Sequence, residues 1–307
     1  MADSLRVLVI GAGRMGAVHL ASLDSATSAE AVAVVEPVAR LREQAHDQGL
    51  AAYESLDDAL GAGGFEAALI AAPSDLHLGL VRKLMSERVP TLCEKPCGLR
   101  SAETIEAAEL ATDTGVLLQI GYWRRFVPAL RQLRERVVSG ELGELALVQC
   151  WQWDGEPPSA GFLTRSGGIV RDMGVHEFDQ IRWITGQELS ITGLVESSVA
   201  SDPPVENDPE SVAIVGAISG GGVALISLGR RFARGDTCWL EVIGTHDVAR
   251  CEFMSGSDGD RVFRAALVDQ LESFTAAVRG RRRDGATAED AVAALRAAEQ
   301  ASPLLGP

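Results

Sequence analysis

The sequence predicts an α/β protein with an N-terminal doubly wound parallel sheet and a C-terminal α+β domain that has a large, mostly antiparallel open sheet. Three observations lead to this prediction. A glycine-rich turn follows the first apolar run, strand and helix patterns alternate to about residue 119, and apolar runs joined by short hairpins follow residue 121. Alternation produces a parallel sheet covered by helices on both faces, whereas hairpin-linked runs pair antiparallel.

The first element is a short apolar run, Leu5 to Ile10, of the length of a strand. It leads directly into Gly11-Ala12-Gly13-Arg14-Met15-Gly16, and a helical pattern continues to Leu23. A G-x-G-x-x-G turn between a strand and a helix is typical of a dinucleotide-binding Rossmann unit. The glycines allow a tight turn, close approach of a pyrophosphate and close helix packing, while the helix N-terminus holds the phosphates.

An acidic residue ends the second predicted strand, Ala31 to Val35. Glu36 lies about twenty residues past the last glycine, where an acid hydrogen-bonds the ribose hydroxyls of a bound dinucleotide. Because a carboxylate there repels a 2′-phosphate, Glu36 favours NAD as the cofactor. Arg14 and Arg40 leave NADP open, since a guanidinium is the usual partner of a 2′-phosphate.

The alternation then continues through the first part of the chain. The predicted strands are 5–10, 31–35, 66–71, 89–93 and 116–119, and the predicted helices are 14–23, 38–48, 75–87 and 101–113. The run 89–93 ends in Glu94-Lys95-Pro96, at the carboxyl edge of the sheet where doubly wound folds bind ligands. An ammonium group is therefore expected beside the dinucleotide.

A carboxylate and an imidazole follow the flexible pair Gly167-Gly168. If the run from Met173 to Ile184 is helical, Asp172 is its N-cap and His176 lies one turn later on the same face. Imidazole titrates near neutrality, which suits a general base. The pattern therefore predicts a compact acid/base pair.

The second half of the chain is richer in strands. It contains a predicted helix at about 127–139, strands at 144–153, 211–218, 223–229 and 237–243, and closing helices at 268–278 and 288–301. We predict a dinucleotide-binding domain over residues 1–121 and a substrate-binding and oligomerisation domain over residues 122–307. The last helix is able to pack back on the first domain.

Three motifs, in this order and spacing, resemble the signature set of the glucose–fructose oxidoreductase/inositol dehydrogenase family (Gfo/Idh/MocA). They are the Gly11–Gly16 turn, Glu94-Lys95-Pro96, and Gly167-Gly168 with Asp172, His176 and Asp179. The resemblance extends over nearly the whole chain. Within the family, the segments Gly121–Phe126 and Ser166–Met173 are most similar to the bacterial inositol 2-dehydrogenase branch.

The resemblance implies an NAD-dependent oxidoreductase that oxidises a secondary hydroxyl of a cyclic polyol or sugar of the inositol type to a ketone. Lys95, Asp172 and His176 are the expected catalytic residues. The expected cofactor contacts are Gly11, Ala12, Gly13, Arg14, Met15, Gly16, Glu36, Ala72, Pro73, His77, Glu94, Lys95 and Gln119. The expected substrate contacts are Lys95, Trp123, Arg125, Arg165, Asp172 and His176. Family architecture also implies a dimer or tetramer through the C-terminal sheet.

Three other functions remain open. The chain could reduce a keto group on a nucleotide-linked sugar, since Trp123, Trp151 and Trp153 provide aromatic surface. It could be an NAD-dependent glycoside hydrolase, which oxidises its substrate transiently. A ligand-sensing regulator on the same fold is the least favoured, because all three residues assigned to catalysis are present.

Bulk composition excludes several classes of partner. The formal net charge of −15 argues against nucleic acid, whose phosphates need clustered cations. Five cysteines without a C-x-x-C pair indicate a reducing compartment, and no Cys/His set has the spacing of a zinc site. No apolar run is long enough to span a bilayer and no signal peptide is recognisable, so we expect a cytoplasmic enzyme without a metal.

Overall fold

The computed structural model describes residues 4–197, 208–255 and 258–305. These residues form two compact units. The first unit comprises the residues up to Gly98, Ala102–Tyr122 and Arg264–Glu289. The second comprises Leu99–Ser101, Trp123–Phe263 and the residues from Asp290 onward.

The first unit contains a six-stranded, wholly parallel sheet. Its strands are β1 (Leu5–Ile10), β2 (Ala29–Val35), β3 (Ala51–Tyr53), β4 (Ala67–Ile70), β5 (Thr91–Cys93) and β6 (Leu118–Ile120). The alternating helices are α1 (Arg14–Ser25), α2 (Ala39–Asp47), α3 (Leu56–Ala62), α4 (His77–Ser86) and α5 (Ser101–Thr114). The strand order β3-β2-β1-β4-β5-β6 reverses between β1 and β4, the position at which such sheets bind ligands.

The strands of this sheet are mostly apolar, as expected for a parallel sheet buried on both faces. Val7 of β1 and Leu69 of β4 belong to a hydrophobic cluster that also contains Leu271 and Phe274. The last two residues lie on the long helix Gly259–Val278, which we label α9 at its place in the chain. Their burial explains why the segment from Arg264 belongs to the first unit although it lies far beyond the predicted boundary at residue 121.

The second unit contains the mixed sheet that the sequence predicts. Its strands are β7 (Leu145–Trp153), β8 (Leu189–Ser197), β9 (Ser211–Ile218), β10 (Val223–Gly229), β11 (Thr237–Gly244) and β12 (Val248–Ser255). The order is β12-β11-β7-β10-β9-β8, and every neighbouring pair is antiparallel except β7 with β10. The helices are α6 (Pro128–Val138), α7 (Ala160–Ser166), α8 (Val175–Thr185) and α10 (Ala288–Ala301). The predicted fold class is confirmed.

One local prediction is wrong. Asp172 is not an N-cap, because a π-helical turn, Val170–Gly174, precedes α8 and continues directly into it. The residue before α8 is Gly174, whose backbone is itself helical. Asp172 therefore lies inside a helical turn rather than at its start. The elements β3, α3, α7, β8 and β12 were not predicted.

Across the ranges that the structure describes, no helix combines the length and the apolar character needed to cross a bilayer.

Candidate active site

The glycine-rich turn lies where β1 passes into α1. Gly11 has a φ of +96°, and a Cβ there would lie 2.8 Å from the carbonyl oxygen of Ala71. A Cβ at Gly16 would clash with the backbone of Gly11, so both positions require glycine. Around Gly13, by contrast, no described atom comes within 4 Å of the position of a Cβ. The turn is therefore closely packed at Gly11 and Gly16, whereas the space beside Gly13 at the N-terminus of α1 is open. This open space fits a pyrophosphate.

Glu36 lies immediately after β2 and is only 5% exposed. Its Oε2 accepts a hydrogen bond from the backbone N–H of Ala12 at 2.8 Å, and its Oε1 accepts one from Val38 at 2.9 Å. Two backbone donors therefore fix the carboxylate beside the glycine-rich turn. Arg14 and Arg40 are exposed at the surface.

The turn after β5 carries Glu94 and Lys95. The Oε1 of Glu94 lies 2.7 Å from Nε2 of His19, and its Oε2 accepts the backbone N–H of Lys95 at 3.2 Å. Burial alone raises the pKa of Glu94, but the hydrogen bond and charge of His19, together with Lys95, outweigh it and lower that pKa. The buried carboxylate is therefore ionised and anchors the turn from which the half-buried Lys95 projects. The Lys95–Pro96 peptide bond is cis.

His19 is a site residue that the sequence reasoning missed. It lies on α1 with Gly16 and Leu23, at helical spacing, on the buried face of that helix. Its Nδ1 has no hydrogen-bond partner among the described residues. The sequence did carry a signal for this residue, because His19 lies at helical spacing among small and apolar residues of a helix that packs on the sheet.

His77 connects two of the turns at this edge. Its Nε2 lies 2.8 Å from the carbonyl oxygen of Ala72, and its Nδ1 lies 2.8 Å from that of Pro96. Burial lowers the pKa of His77 and outweighs the opposing effect of the two carbonyls. The ring is therefore neutral and donates to one carbonyl at a time. The predicted cofactor residue Pro73 lies exposed in the turn beside Ala72.

Gln119 lies opposite Leu92 of β5, the strand that leads into Glu94 and Lys95. It lies on β6, two strands beyond β4, and its buried side chain faces Gly285. It lines a cavity of about 250 Å³ together with Thr112 and the segment 283–289.

The predicted acid/base pair lies in the second unit. Asp172 is in the π-helical turn, where its Oδ2 accepts a hydrogen bond from Nη1 of Arg230 at 3.2 Å. His176 lies in the first turn of α8 and is 8% exposed. The indole of Trp123 meets the imidazole edge-on, with the ring centroids 6.4 Å apart. Trp123 thus packs against His176, and its predicted contact with substrate stays a prediction.

Two buried ion pairs hold α8 in place. Arg124 pairs with Glu177, and Nε of Arg125 donates to Oδ2 of Asp179 at 3.0 Å. Nη1 of Arg125 also lies 3.0 Å from Asp290. Burial lowers the pKa of Arg125, but the two carboxylates outweigh it and raise that pKa, so the guanidinium stays charged. Arg125 therefore anchors the predicted motif residue Asp179.

Arg165 is a further predicted substrate contact. Arg165 lies in the last turn of α7, and its side chain is exposed. In the first unit, Glu36 lies beside the Gly11–Gly16 turn, and Lys95 lies in the turn whose Pro96 carbonyl contacts His77. The second unit groups Asp172, His176 and Trp123 around α8.

Comparison with known proteins agrees with these features. Residues 5–122 match the profile of the GFO/IDH/MocA oxidoreductase family, described as an NAD-binding Rossmann fold, and residues 130–250 match the GFO/IDH/MocA C-terminal domain. The rhizopine catabolism protein MocA of Rhizobium meliloti is 46% identical over 300 residues, which cover 98% of this chain and 95% of that protein.

Two further relatives extend the comparison. Inositol 2-dehydrogenase of Rhizobium meliloti strain 1021 is 28% identical over 316 residues, which cover 97% of this chain and 96% of the enzyme. The crystal structure of a myo-inositol dehydrogenase from Corynebacterium glutamicum ATCC 13032 superposes with a TM-score of 0.86 at 25% identity, covering 96% of this chain and 95% of that one.

Proposed function

Because this chain belongs to the GFO/IDH/MocA family of NAD-binding oxidoreductases, we propose that it oxidises a secondary hydroxyl of an inositol-type cyclic polyol or sugar to a ketone. The observation that carries the proposal is the pair of Asp172 and His176, one turn apart beside the indole of Trp123. Relatives named as inositol 2-dehydrogenases support the substrate class.

The residues present fit NAD. The backbone N–H groups at the start of α1 would bind the pyrophosphate. The carboxylate of Glu36, held by backbone hydrogen bonds, would accept hydrogen bonds from the ribose hydroxyls. When bound, the nicotinamide supplies the hydride acceptor. The contacts of His77 with Ala72 and Pro96 would keep the adjoining turns in place.

The remaining chemistry belongs to side chains of this protein. His176 would take the hydroxyl proton, which requires a neutral imidazole within hydrogen-bond reach. Asp172 would orient that imidazole or bind a neighbouring hydroxyl of the substrate. Lys95 would stabilise the negative charge that develops on the oxygen, the type of electrostatic contribution that is usually largest.

A substrate screen tests the function directly. We expect NADH to form with at least one of myo-inositol, scyllo-inositol, glucose, galactose and xylose, and the KM for NAD to be lower than that for NADP. The reason for the second expectation is that Ala12 and Val38 fix the Glu36 carboxylate where it would repel a 2′-phosphate. The measurement is the initial rate of NADH or NADPH absorbance change.

Other outcomes of the screen would contradict the proposal. Release of reducing sugar from a glycoside without net NADH would indicate the hydrolase alternative. Oxidation of NADH only with a nucleotide-linked keto-sugar would indicate the reductase alternative. Binding of polyols without any turnover would indicate a regulator.

We also propose that the outward face of the second sheet binds another copy of this chain. One row across five strands is entirely apolar: Ala217, Val223, Leu147, Ile243 and Val248 pair in this order. Val223 is 43% and Val248 49% exposed. The same face carries the stacked rings of Trp151 and Trp239, with centroids 5.7 Å apart. Exposed apolar side chains grouped in a row of this kind are typical of an interaction surface.

Sedimentation tests this interface. We expect the unaltered chain to sediment as a dimer or tetramer, and the variant Val223→Glu/Val248→Glu to sediment as a smaller species, because two buried carboxylates would lack partners. Val138→Glu is the matched control, since Val138 is exposed at the end of α6. A monomeric unaltered chain would exclude the interface.

A further inference from the structure

Arg230 follows β10 and is only 3% exposed, although it carries a charge. Its Nη1 donates to Oδ2 of Asp172 at 3.2 Å, and its Nη2 donates to Oδ2 of Asp208 at 3.2 Å. Its Nε has no hydrogen-bond partner among the residues described. The guanidinium thus lies between two carboxylates, one of which belongs to the proposed acid/base pair.

Asp208 has a second contact that reaches the same helical turn. Its Oδ1 accepts the backbone N–H of Ile169 at 2.7 Å. Gly168 has a φ of +85°, and a Cβ there would lie 3.3 Å from the same oxygen. Asp208 therefore binds the backbone of the turn that leads into the π-helical segment, while its other oxygen accepts from Arg230.

These contacts connect Arg230 to Asp172 by two routes. One is the direct hydrogen bond to the carboxylate of Asp172. The other passes through Asp208 to Ile169, three residues before Asp172 in the chain. A buried ion pair contributes little net stability compared with a well-packed apolar group, so stability alone is a poor explanation for a buried charge here.

We propose that Arg230 is a positioning residue that fixes the carboxylate of Asp172 and the turn before it in the geometry needed for oxidation. This inference rests on the proposed function, in which Asp172 and His176 contact the substrate. Catalytic groups must be held to within about 0.5 Å, and a misplacement of about 1 Å can cost a hundredfold in rate. Arg230 holds both the side chain and the backbone of this segment.

The kinetic test uses Arg230→Gln, Arg230→Lys and Asp172→Asn. We expect Arg230→Gln to lower kcat by about ten- to a hundredfold and Arg230→Lys to restore part of the loss, because the charge remains. The double variant Asp172→Asn/Arg230→Gln should be no slower than Asp172→Asn alone, because Arg230 acts through Asp172. A double variant that shows the product of the two single losses would overturn the proposal.

Arg231→Gln is the matched control. Arg231 is the next residue along the chain, but its side chain is 54% exposed and pairs with Glu210. We expect its kcat and KM to remain within about twofold of those of the unaltered enzyme, because exposed ion pairs contribute little. Should Arg230→Gln fail to fold, Asp208→Ala provides the second variant, because it removes the acceptor of the Ile169 N–H while Arg230 still donates to Asp172.

A measurement without substrate separates this inference from the proposed function. We expect backbone hydrogen exchange across 166–173 to be at least about tenfold faster in Arg230→Gln than in Arg231→Gln. The reason is that amide exchange reports local opening of the backbone, which the contacts of Arg230 would oppose. An unaltered enzyme that forms no NADH would contradict the proposed function alone. Equal exchange in the two variants would contradict the role of Arg230, whatever the activity.

Discussion

Replacing His176 with alanine is expected to lower kcat by at least about a hundredfold while NAD binding is retained. The imidazole is the group to which the proposal assigns proton removal, so its loss removes the acceptor of the hydroxyl proton. Retained binding is expected because the residues proposed to hold NAD, the Gly11–Gly16 turn and Glu36, are unchanged in this variant. The measurements are steady-state turnover with the best polyol and the Kd for NAD by fluorescence titration.

The control for this prediction is His246→Ala. His246 also belongs to the second unit, but its side chain is exposed in the turn between β11 and β12. We expect wild-type kcat from this variant. Turnover near the wild-type value in His176→Ala would refute the assignment, and loss of NAD binding would show that the substitution acts on folding instead of on proton transfer.

Local patterns in the sequence predicted most of both sheets. Strands β9 and β10 were predicted residue for residue, because glycines at 220–222 mark the hairpin between two β-branched runs. Strand β12 was missed although buried Ala249, Cys251 and Phe253 alternate with exposed Arg250 and Glu252, the period of a half-buried strand. The π-helical turn was missed because the residue pattern of 170–174 does not distinguish it from an ordinary helix start.

Contacts between distant parts of the chain were beyond the sequence reasoning. His19 and Glu94 are 75 residues apart, and Asp172 and Arg230 are 58 residues apart. A single sequence does not reveal which buried charges pair. Charged residues are usually exposed, so a single arginine or histidine gives no sign in the sequence that it is buried against a distant partner. The types of residue at the site could therefore be predicted, whereas the residues that hold them in position could not.

The anchoring of Glu94 bears directly on the role of Lys95. The ionised Glu94 carboxylate binds both His19 of α1 and the backbone N–H of Lys95, so the turn after β5 is connected to the helix whose N-terminus would hold the phosphates. This connection places the ammonium group on a rigid element at the carboxyl edge of the first sheet. Rigid support is what a group needs if it is to stabilise charge without reorganising.

Replacing Lys95 with alanine is accordingly expected to lower kcat by at least about a hundredfold. The developing negative charge on the substrate oxygen would lose its cation, whereas the glycine-rich turn and Glu36 would continue to hold NAD. The kcat of Lys95→Arg should lie between those of the unaltered enzyme and Lys95→Ala. Arginine keeps the positive charge, but its guanidinium is planar and differs from the ammonium group in reach. The measurements are kcat with the best polyol and the Kd for NAD.

The chain offers a matched control, because Lys83 is its only other lysine. Lys83 lies on α4 and forms an exposed ion pair with Asp57 at 2.9 Å. Exposed pairs of this type contribute little to stability, so Lys83→Ala should retain wild-type turnover. An equal loss in both variants would attribute the effect to net charge, and wild-type turnover in Lys95→Ala would remove Lys95 from the catalytic step.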